Sequence, residues 1–119
     1  LLRRATFLTE AVIDLGLTDR VTVLRARAEK VITTPNWTGV DIVTARAVAP
    51  MERLLGWTMP LLKPVGDLLA LKGSSAQSEI DAATDVINQY RITEISVLTC
   101  GTGVVEPETT VVRARRMLA

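Results

Sequence analysis

At 119 residues the chain holds one modest domain with a single core and not two, so residues 1–119 are read as a single domain. It is 48% hydrophobic and 23% charged, an ordinary globular composition, and a formal net charge of +1 leaves any nucleic-acid surface to a local patch. The lone cysteine, Cys100, excludes an internal disulfide and a multi-thiolate metal site, and the lack of histidine excludes histidine-based triads and histidine-ligated zinc.

The first segment, residues 3–15, places Leu8, Ala11, Val12 and Leu15 at helical spacing, and Gly16 is a natural stop. Arg3, Arg4, Glu10 and Asp14 interrupt its apolar residues before they form a signal-peptide core, and no run reaches the length of a membrane span. The expected setting is therefore cytoplasmic, with no membrane and no metal. Residues 21–24 form a short β-branched run, expected as a first strand. One turn of helix is expected over residues 28–32, then a loop over residues 33–39 containing Pro35.

Residues 41–45 predict a second strand, entered through Val40, and Pro50 suits the first turn of a helix running through Leu54, Leu55 and Met59. The stop-and-turn sequence of residues 60–66 delivers a third strand over residues 67–71. After the loop Lys72-Gly-Ser-Ser75, with Ser75 as a candidate cap, Ile80, Ala83, Ile87 and Tyr90 share one helical face. A fourth strand is expected over residues 94–98 and a fifth over residues 110–114. The connection between them, with Gly101, Gly103 and Pro107, is too short for a crossover helix, so this pair should be antiparallel.

Strand and helix alternating three times before a strand pair predicts a layered α/β sheet, whose ligands bind beyond the carboxyl ends of the parallel strands. Charged residues converge there: Arg25, Arg27 and Glu29 after the first strand, Arg46 after the second and Lys72 after the third. Eleven of the fourteen basic residues are arginine, whose planar fork suits phosphates and base edges. Trp57 reads as core, Trp37 as a loop residue that covers the surface or makes a contact, and Cys100 as a small packing residue.

Several segments in order resemble the ribosomal small-subunit guanine-N7 methyltransferases, also called the glucose-inhibited division protein B family. Leu1-Leu-Arg-Arg-Ala-Thr-Phe-Leu8 is similar to that family's helix after its second strand. Arg27-Ala-Glu29 is similar to its adenine-contacting segment, and Thr44-Ala-Arg-Ala47 to its Ser-Arg-Ala signature. Leu69-Ala-Leu-Lys-Gly73 resembles its lysine–glycine strand exit, and Val111-Val-Arg113 its last strand. The resemblance implies a Rossmann-like class I S-adenosylmethionine-dependent methyltransferase fold, partial, with an antiparallel strand pair at the C-terminal end. It also implies a C-terminal part of a methyltransferase domain, because the family's glycine-rich donor loop has no counterpart in the sequence.

By the same resemblance the activity is methylation of guanine N7 in 16S ribosomal RNA, with S-adenosyl-L-methionine as donor and the small ribosomal subunit as partner. Ala28, Glu29 and Arg46 are the implied donor-binding residues, and Arg3, Arg4, Arg27 and Lys72 the implied RNA-binding ones. Two other functions fit the residues alone: a small-molecule or protein methyltransferase of the same fold, and a non-catalytic α/β nucleotide-binding or structural module.

Overall fold

The computed structural model describes residues 2–46 and 49–117. The first helix, α1 (Leu2–Asp14), ends as its sequence predicts. Gly16 takes φ 67°, which lets its amide reach the Ile13 carbonyl at 3.0 Å and the Leu17 amide reach the Val12 carbonyl at 2.9 Å. No residue of α1 is buried, and Phe7 stands 68% exposed.

Residues 21–24 do not form the expected strand. A β-branched run becomes a strand only beside a partner ladder. Here the Val21 amide donates to the Leu17 carbonyl at 2.8 Å, closing a turn instead. The short helix α2 (Ala28–Val31) follows, matching the expected single turn.

Four strands form one sheet in the order β1-β2-β4-β3: β1 (Val40–Arg46), β2 (Leu62–Lys72), β3 (Ile92–Cys100) and β4 (Thr109–Met117). β1 and β2 are parallel, and β4 runs antiparallel to both β2 and β3, so the expected antiparallel end is present. Two parallel strands stand where the sequence suggested three. β2 starts five residues earlier than expected, although Pro64 cannot donate to a ladder. The register between β1 and β2 jumps from Val40↔Leu62 to Ile42↔Asp67, which leaves Pro64 in the irregular stretch. Gly39 borders that stretch at φ 93°, where a Cβ would lie 2.7 Å from the Lys63 amide nitrogen.

Helix α3 (Met51–Thr58) buries Met51, Leu54, Leu55 and Thr58, a single stripe at helical spacing. A 3₁₀ turn (Met59–Leu61) then leads into β2. The helix expected around Ile80 is two pieces, α4 (Ala76–Ala82) and α5 (Thr84–Gln89). Thr84 donates its hydroxyl to the Asp81 carbonyl at 3.1 Å, a local bond that competes with a continuous helix. The apolar face survives the break: Ile80 and Ala83 are buried, and Ile87 and Tyr90 pack against the same cluster.

The core lies between α3, α4, α5 and one face of the sheet, with Leu55, Met59, Leu68, Ala70, Val112 and Ala114 fully buried. Strand alternation sends Ile42, Leu71 and Leu98 to the other face, where each is more than a third exposed and Ile42 is 55% exposed. Cys100 is exposed rather than packed.

Candidate donor and substrate sites

β1 and β2, being parallel, bring their carboxyl ends to one edge of the sheet, with Arg46 beside Leu71 in register. β4 runs the other way, so its first residues arrive at the same edge, Thr110 opposite Lys72. Together they line an open hollow of about 500 Å³ whose walls include Arg46, Lys72, Gly73, Ser74, Glu108, Thr109 and Thr110. Of the five charged residues expected to converge, only Arg46 and Lys72 meet here: residues 21–24 form no strand, Arg27 and Glu29 line a separate hollow, and Arg25 lines neither. Glu108, Thr109 and Thr110 were not singled out in the sequence. The antiparallel end strands were the available signal, since they require the residues before β4 to return to this edge.

The two basic groups in the hollow differ in availability. Arg46 is exposed. Lys72 has a side chain only 5% exposed, and its ammonium donates to Glu79 Oε1 at 2.7 Å and to the Ala49 carbonyl at 2.5 Å. The Lys72 ammonium beside it, then the Ser75 hydroxyl, hold the Glu79 carboxyl below its ordinary value, and partial burial only opposes them. Ser75 does precede α4 as expected, but its hydroxyl donates to Glu79 Oε2 at 2.7 Å instead of capping the helix.

Arg27, Ala28 and Glu29 line a second hollow, of about 300 Å³, with Trp57 from α3 as its remaining wall. Trp57 is 38% exposed, so it is a wall of this hollow and not core. No residue lines both hollows. Glu29 stands in the first turn of α2, where a carboxylate also favours the helix dipole. Arg3 and Arg4 are on α1 beside Phe7 and Leu8, apart from both hollows. Ala47, the last residue of the Thr44-Ala-Arg-Ala47 segment, lies outside the described residues, as does Leu1 of the opening segment. Gly101 and Gly103, at φ 84° and 77°, turn the chain between antiparallel β3 and β4 and not after a parallel strand.

The second hollow offers a flat aromatic wall at Trp57, the backbone of Ala28 and an exposed carboxylate at Glu29. Among the described residues no group of three or more His, Cys, Asp or Glu could hold a metal, and no helix is long and apolar enough to cross a membrane.

A parallel pair, an antiparallel end and a hollow at the strand exits define a partial Rossmann-like methyltransferase fold. The same fold is seen in a solved structure from Clostridium thermocellum, assigned by its description to the rRNA methylases. The two align with a TM-score of 0.63 at 16% identity, over 97% of this chain and 68% of that one.

The chain belongs to the GidB family, rRNA small subunit methyltransferase G, whose family model matches residues 1–110. Its relatives include the ribosomal RNA small subunit methyltransferase G proteins of Streptomyces avermitilis and Thermobifida fusca. They are 52% and 49% identical to it, each over 95% of this chain and 46% of the relative. That of Salinispora tropica is 45% identical over 98% of this chain and 49% of its own length. The chain thus spans about half the length of the curated relatives it matches.

Proposed function

We propose that the full-length protein transfers a methyl group from S-adenosyl-L-methionine to N7 of a guanine in 16S ribosomal RNA, in the cytoplasm, and that this chain carries the adenine contact and the substrate-facing strand exits. The observation that carries the reading is the hollow at the carboxyl ends of β1 and β2, with an exposed Arg46 on its wall in a chain of this family. Trp57, Ala28 and Glu29 hold the adenine end of the donor. When bound, the donor supplies an electrophilic methyl group on a sulfonium. Guanine N7 carries a free lone pair at neutral pH, so no protein group has to remove a proton. What the residues supply is alignment and electrostatics. Arg46 faces the donor or the guanine from the edge of the sheet, and Arg27, Arg3 and Arg4 offer charge to phosphates, which positions RNA without reading its sequence.

The test is Arg46→Ala in the full-length protein, assayed for methyl transfer to under-methylated small ribosomal subunits beside a thermal melt. Activity is expected to fall at least tenfold with the melt unchanged. Wild-type activity would remove Arg46 from the site and take the hollow's role with it.

A further inference from the structure

Lys72 and Glu79 form the most enclosed ion pair among the described residues, and Lys72 lies on the wall of the hollow at the strand exits. Glu79, on α4, gathers three donors. Its Oε1 accepts Lys72 Nζ at 2.7 Å and the Met51 amide at 3.0 Å, and its Oε2 accepts the Ser75 hydroxyl at 2.7 Å. Lys72 adds a bond to the Ala49 carbonyl. The pair therefore ties the exit of β2 to both polar ends of the segment Ala49-Pro50-Met51, which begins α3 and stands three residues after Arg46. A lysine held in this way would have to abandon a carboxylate and a carbonyl to meet a phosphate, leaving a half-enclosed charge unpaired.

We infer that Glu79 is a positioning residue: through Lys72 and the Met51 amide it fixes the start of α3 against the exit of β2, whose Lys72 lines the hollow. This rests on the reading of that hollow as the substrate site. It reassigns Lys72 from an RNA contact to an internal tie. Enclosed ion pairs contribute little net stability and are often replaced by apolar residues without loss. Neither Leu nor Met, however, accepts the Met51 amide proton or donates to the Ala49 carbonyl. Stability and positioning are therefore separable in this pair.

The experiment uses the full-length protein, with methyl transfer to under-methylated small ribosomal subunits as the activity. The variants are Glu79→Gln, Lys72→Met and the double replacement K72M/E79L. Glu79→Gln keeps the size and one acceptor of the native side chain, so it tests the charge even if a larger change fails to fold. The expected result is a kcat about ten- to a hundredfold lower in Glu79→Gln, the scale of a small misplacement of a reacting group, with the donor KM unchanged. In K72M/E79L the melting temperature should return toward wild type while kcat stays low. The salt dependence of RNA binding should be the same in Lys72→Met as in wild type.

Two results would overturn the inference. One is kcat following the melting temperature through all three variants, which makes the pair structural only. The other is a salt slope shallower by roughly 0.7–0.9 in Lys72→Met, the signature of one lost phosphate contact, with Glu79→Gln near wild type. An Arg46→Ala protein that is fully active fails the substrate-site reading itself, whereas a dead Arg46→Ala beside a normal Glu79→Gln fails only the tie.

Discussion

Replacing Glu29 by Ala in the full-length protein should weaken donor binding about tenfold and leave RNA binding unchanged. Among the described residues Glu29 makes no side-chain hydrogen bond and no salt bridge, so the replacement disturbs no internal contact. What is lost is one charge-assisted hydrogen bond to the adenine amine, worth roughly 1.5–3 kcal/mol. Glu29 is exposed, and screening by water puts the effect at the low end, about 1.5 kcal/mol, which is roughly a tenfold change in Kd. The carboxylate's interaction with the dipole of a four-residue helix adds at most about 0.3–1 kcal/mol to stability, so the melt should hardly move. Calorimetric titration with S-adenosylhomocysteine measures the donor side, and Glu29→Gln, which keeps an acceptor without the charge, should fall between wild type and Ala. An unchanged Kd in Glu29→Ala would refute the reasoning and leave Glu29 as a carboxylate that starts a helix.

Leu55→Ala removes a fully buried side chain from the α3 stripe and should cost about 2–5 kcal/mol, read as a lower urea midpoint in the full-length protein; a loss under 1 kcal/mol would mean that α3 does not anchor the core. Asp67 gives a pH prediction. Arg115 holds it with two bonds, at 2.9 and 3.1 Å, and with Arg113 keeps its carboxyl below the ordinary 3.8. Its folded pKa is thus the lower one, so its contribution is complete above 3.8 and is lost as pH falls through the folded value. Below pH 3.8 the wild-type melting temperature should fall more steeply than that of Asp67→Asn, and parallel curves would show that the pair stabilises nothing.

The strand exits could be read from the sequence because they depend on local chemistry. Pro50 and the spacing of Leu54 and Leu55 announce α3, and the short connection through Gly101 and Gly103 forces β3 and β4 to be antiparallel. Arg46 and Lys72, read as the exits of the strands now seen as β1 and β2, meet in one hollow. What could not be read were properties of pairs. Residues 21–24 have the composition of a strand but no ladder to join among the described residues, and the Leu17 carbonyl takes the Val21 amide. The partner of Lys72 is seven residues away on α4, and nothing in a lone lysine before a glycine says that a glutamate one helix later will claim it. Trp57 read as core because its neighbours Leu54, Leu55 and Thr58 are core. It lies off their stripe, and only the placement of α2 beside α3 gives its ring a role.

Helix α3 joins the two hollows. Its first residue, Met51, is tied through its amide to Glu79 and thus to Lys72 on the wall of the hollow at the strand exits. Six residues later Trp57 forms the wall of the hollow that holds Glu29. A rise of 1.5 Å per residue separates these points by about 9 Å along the axis. The intervening Leu54 and Leu55 are buried against the sheet, so the helix cannot slide without breaking the core. On the proposed reading, a donor whose adenine sits against Trp57 and a base beside Arg46 would be spaced by this helix. For the proposed methyl transfer, which needs no proton removed, holding that separation would serve the alignment of donor and base. The proposed tie gives the enclosed ion pair at the start of α3 a positional role that an apolar pair would not supply. The charges give the helix start a fixed address relative to β2.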